Sequence, residues 1–255
     1  MPLLRATLTI ALFGGAAAML TPAAERFEEF ASWFARPARL PFAWQAVAAA
    51  DRDGDANEAF ARGQQILDLV PTWTLGHAAF AYRYALTPDT GGQPEAVARR
   101  AHRRLMVALA WLEAARADAG EREAELLHSA AFLAPIACRQ FPGLDAMLPV
   151  GGAAAMTDRF FKEAERLFPG PVTREQRLFH VPTLAGALLD AGQRRQAIEL
   201  LQAALERAPQ ARDVQLAREW GDRVAEVLQA LRGEPVAIGP VLSDPRFEPL
   251  WRHVR

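Results

Sequence analysis

The chain is 255 residues long, 51% apolar and 23% charged, a composition that can bury a sizeable core and excludes an intrinsically disordered protein. Its 29 basic and 30 acidic residues nearly cancel, so no overall field draws it to nucleic acid or to an anionic surface. The lone cysteine, Cys138, excludes an intramolecular disulfide framework and a multi-cysteine metal site, and reads as a small buried hydrophobe.

Residues 1–24 read as a membrane anchor or signal segment. Arg5 precedes an uncharged run from Ala6 to Ala24, and Glu25, Arg26, Glu28 and Glu29 follow it. The run matches the length of about 20 residues that crosses a bilayer as a helix. Its charge asymmetry places the rest of the chain on the extracytoplasmic, periplasmic side of an inner membrane. The same pattern also fits a secretory signal cleaved at "GAAA" or "TPAA", or a buried first helix. Residues 25–39 form an amphipathic aromatic linker helix, with Phe27, Phe30, Trp33 and Phe34 at spacings of three and four.

From residue 40 to 233 apolar residues recur at helical spacing between Gly and Pro punctuation, and period-two alternation is nearly absent, so the fold class is all-α. Gly54, Ala59 and Pro71 are spaced by five and twelve residues, and Gly192, Ala197 and Pro209 repeat that spacing. Gly152 and Pro169 share the phase, with Phe161 and Ala164 where Leu201 and Ala204 fall in the best copy. A further ending is expected at Leu127, Ala130 and Pro135, 34 residues before Pro169. Thr157 takes the small-residue place of a degenerate unit, where Ala should serve as well. A long helix is expected from about Pro94 to Ala117, and the segment holding Pro142 and Pro149 should be irregular.

These residues resemble the tetratricopeptide repeat, a 34-residue helix–turn–helix unit, strongly over 173–209 and more loosely over 40–71. The resemblance implies an irregular α-solenoid of about four helical pairs, in the manner of membrane-anchored bacterial envelope proteins. It also implies that the first helix of each unit lines a groove. For the helix after Pro71 the groove residues would be Trp73, His77, Phe80, Tyr82 and Tyr84. Asp213 to Gly233 reads as a helix capping the stack, and residues 234–255 as a tail that docks Phe247, Leu250 and Trp251 onto that cap.

Few motifs carry chemistry. Asp51, Asp53 and Asp55 alternate as in a calcium loop, but Ala56 and Arg62 stand where the glycine and the bidentate carboxylate belong, so Asp55 is expected at a helix N-terminus instead. His77, His102, His128, His180 and His253 include no pair at metal-ligand spacing. Arg99, Arg100, Arg103 and Arg104 form the one dense basic cluster and suit either a solvated face near Glu95 or an acidic partner. No cofactor is expected. The favoured function is a non-enzymatic, membrane-tethered scaffold for a protein or peptide partner, including a membrane complex. The alternative is an enzyme or accessory subunit with a site assembled from distant residues such as His77, His128 and His180.

Overall fold

The computed structural model describes residues 39–88, 91–208 and 213–254. The anchor or signal segment, the aromatic linker up to residue 38, and Pro209 lie outside the described residues. Among those described there is no strand, and no helix is long and apolar enough to cross a membrane. The chain divides into two compact units between Val70 and Pro71.

The first unit holds helix α1, described over 39–52, and α2, Ala56–Leu69. Gly54 turns between them at φ +74, a left-handed conformation that a Cβ would strain. Asp55 caps α2, its Oδ1 accepting hydrogen bonds from the amides of Asn57 and Glu58 at 3.0 Å. The aspartate-rich turn is thereby explained as a helix start. α2 stops at Leu69, just ahead of Pro71.

The second unit runs through α3 (Thr74–Ala85), α4 (Pro94–Ala119), α5 (Glu123–Gln140), α6 (Gly152–Leu167), α7 (Pro171–Asp190), α8 (Arg194–Arg207) and α9 (Val214–Arg232). Two short helices follow, α10 (Gly239–Ser243) and α11 (Trp251–Val254), with a 3-10 turn over Pro245–Leu250 between them. Each helix from α3 to α9 packs on the next, and α3 also packs on α5. Close approach is set by small residues: Ala81, Ala85, Ala101, Ala108, Ala131, Ala134 and Ala137 are fully buried among α3, α4 and α5. A second core, built on Trp220, Val224, Leu201 and Phe247, joins α7, α8, α9 and the tail. α9 matches expectation at both ends, with Asp213 capping the Leu216 amide and Gly233 at φ +80 closing its C-terminus.

One expectation needs correction. Pro135 does not end a helix; it lies inside α5, which continues to Gln140. The missing N–H of Pro135 deprives the carbonyl of Ala131 of its usual donor four residues on. Thr157 of α6 supplies the replacement, its hydroxyl donating to Ala131 O at 2.7 Å in a buried setting. Thr157 is 2% exposed and is no passive spacer. The tail docks on α9 as expected, and on α7 as well. Phe247 and Leu250 are buried, the Phe247 ring lies 6.2 Å from that of Trp220 on α9, α10 and α11 also reach α9, and the Pro245–Leu250 turn packs on α7. Gly186 makes this possible, since a Cβ there would lie 2.7 Å from the Pro249 carbonyl oxygen.

Candidate functional site

The residues expected to line a groove are mostly withdrawn from solvent. His77 and Phe80 are 4% and 5% exposed. The His77 ring stacks on Trp111 with centroids 5.3 Å apart, and its Nε2 lies 2.9 Å from the Pro71 carbonyl oxygen. Tyr82 donates its hydroxyl hydrogen to Ser129 O at 2.8 Å, and burial pushes its pKa up to about 12. Tyr84 is half-buried against the first core. Trp73 is the more open member, folded over the first turn of α3 where Gly76 leaves room for its ring.

The arginine cluster is divided by helix geometry. Arg100 and Arg104 turn back to the segment before α4, donating to the carbonyls of Gly91 at 2.5 Å and Thr87 at 2.9 Å. Arg99 and Arg103 face solvent, with Glu95 3.7 Å from Arg99. The cluster therefore anchors a loop on one face and is solvated on the other.

Among the histidines, His128 and His180 flank the ring of Phe161, at centroid distances of 6.2 and 5.7 Å. Burial holds both below the usual histidine pKa. Nε2 of His180 meets the Ala154 carbonyl oxygen at 2.8 Å. His77 has the different partners given above, so the three do not share one set of contacts. Cys138 is half-buried rather than buried as expected, and its thiol is raised to about 12 by burial, with Asp145 beside it.

A cavity of about 810 Å³ lies instead between α4 and α6, with Arg177 of α7 also in its lining. Its floor is apolar: Met106, Leu109 and Ala110 from α4, and Phe160 from α6. The sequence contained a signal for it. "LMVALAWL", Leu105 to Leu112, is apolar on every face of a helix, and more than one face of α4 cannot be covered by its neighbours. Met106 and Val107 are accordingly left 44% and 45% exposed.

The walls are ion pairs. The Arg116 guanidinium reaches Glu113 on its own helix, Glu123 at the start of α5 and Glu163 across the cavity on α6, the last at 3.2 Å. Arg166 grips Glu163 with two hydrogen bonds of 2.8 and 3.1 Å. Those bonds and Arg116 hold the Glu163 carboxyl down to about 2. Arg177 pairs with Asp158 and Glu165 at 3.2 and 2.7 Å. Two exposed cations remain on the α6 rim: Arg159, stacked 4.6 Å over the Phe160 ring, and Lys162, the only lysine of the chain. An apolar floor between charged walls can seat side chains of a ligand and orient its charges.

The chain matches no protein-family model, and no curated protein or solved structure matches it.

Proposed function

We propose that the protein is a non-enzymatic scaffold that holds a segment of a partner protein in the groove between α4 and α6. The observation that carries this reading is an apolar floor, with Met106 and Ala110 exposed over the buried Leu109 and Phe160, inside a cavity with preformed charged walls. The helical pairs are best understood as an irregular tetratricopeptide-like solenoid. Supporting that arrangement, Gly54 and Gly192 share φ values of +74 and +73, and Ala59 and Ala197 at the same offset are both buried. The uncharged run from Ala6 to Ala24 after Arg5 supports tethering to the inner membrane with the repeats on the periplasmic side.

A photo-crosslinking amino acid placed at Met106 of the full chain tests the scaffold reading. The expected outcome is a discrete adduct with another protein chain in cells, absent when the crosslinker stands at exposed Val214. Equal labelling from both positions would contradict it.

A further inference from the structure

We infer that the segment held in the groove is an amphipathic helix of a partner protein whose apolar face is flanked by acidic residues, and that Arg159 and Lys162 select it. The inference rests on the groove reading above and adds the chemistry of the ligand. Most charges around the cavity are already matched: Arg116 with Glu113, Glu123 and Glu163, Arg166 with Glu163, and Arg177 with Asp158 and Glu165. Arg159 and Lys162 make no ion pair among the described residues, stand exposed, and lie three residues apart on one face of α6. The groove therefore presents an apolar floor beside two unmatched positive charges. A ligand complementary to it carries carboxylates next to its apolar anchors.

The floor favours a helix over an extended strand. A strand-adding ligand draws its affinity from backbone bonds to a sheet edge, and the described residues contain no strand. Met106 lies three and four residues before Leu109 and Ala110, and Glu113 four and three after them, so they form one ridge of α4 that can mesh with the ridges of a second helix. A fatty acid is a poorer match, because the Arg116–Glu163 pair crosses the cavity where an acyl chain would have to lie against charge.

The test is a display library of random 16-residue peptides, selected against the full chain in detergent and counter-screened against Met106→Glu. Selected peptides should lose binding to Met106→Glu and be enriched in Asp and Glu next to Leu, Ile or Phe at helical spacing. A synthetic peptide of that consensus should bind the Arg159→Glu/Lys162→Glu variant about five- to tenfold more weakly, and its Glu→Lys counterpart should prefer that variant. Circular dichroism and melting of both variants establish that they fold. Peptides that depend on Met106 but show no acidic bias and ignore the charge reversal would overturn the inference and leave the groove reading standing. If no peptides are enriched, or those found are indifferent to Met106→Glu, both readings fall. A fatty acid retained by the wild-type chain in native mass spectrometry and lost from Met106→Glu would give the groove to a lipid and likewise overturn the inference.

Discussion

Thr157 and Pro135 show how a side chain on one helix compensates another on the helix before it. Pro135 leaves the Ala131 carbonyl without its helical donor, and the Thr157 hydroxyl fills the vacancy at 2.7 Å. Thr157→Val keeps the shape and removes the donor, so it should cost about 1–3 kcal/mol in urea unfolding. In a Pro135→Ala background, where an N–H can bond Ala131 again, the same substitution should cost clearly less, and equal costs in both backgrounds would refute the compensation. Glu163 gives a second test at this scale. Its carboxyl is held at about 2 in the fold, against about 4.3 in an unfolded chain. The stability it contributes is therefore complete above the unfolded value and is lost as the pH falls from about 4 towards 2. Glu163→Gln should flatten that part of the stability profile, by a modest amount because the pair is partly solvated. An acid limb of unchanged slope would contradict the assignment.

At the scale of elements, the turn chemistry and the small residues between helices were readable, and the fate of a proline was not. Gly192 sits at φ +73 and Ala197 is fully buried, as the Gly–Ala–Pro spacing implies. Ala197→Leu should cost about 1–3 kcal/mol by overpacking, and Gly192→Val about 1–3 kcal/mol by backbone strain. Chemical denaturation of each variant checks both, and neutrality of Ala197→Leu would undo the assigned phase. Pro135 has the same spacing before Pro169 as a repeat end would have, yet whether a proline stops a helix depends on who satisfies the freed carbonyl, and Thr157 lies 22 positions away. The tail was legible as a docking element from Phe247, Leu250 and Trp251. Its contact with α9 was legible too, but the added contact with α7 was not, because the clearance at Gly186 that admits Pro249 against α7 is a property of packed backbones.

For the whole molecule, the location of the proposed binding surface separates the sequence reading from the structure. Family resemblance directs attention to the aromatic helix after Pro71, but His77 and Phe80 of that helix are buried. The α4–α6 groove depends on two helices separated in sequence by the whole of α5, and only the surplus apolar character of Leu105 to Leu112 hinted at it. Its charged walls were invisible in sequence, since Arg116 meets Glu163 only across the cavity. The central claim is that this groove, and not the α3 surface, holds the partner. The most direct measurement is the affinity of the full chain for the protein captured by crosslinking at Met106, compared between wild type, Met106→Glu and Trp73→Ala. The groove account predicts a loss of at least about tenfold for Met106→Glu, as for a charge forced into an apolar contact, and little change for Trp73→Ala. Unchanged affinity in Met106→Glu with a comparable loss in Trp73→Ala would contradict it and return the partner to the α3 face.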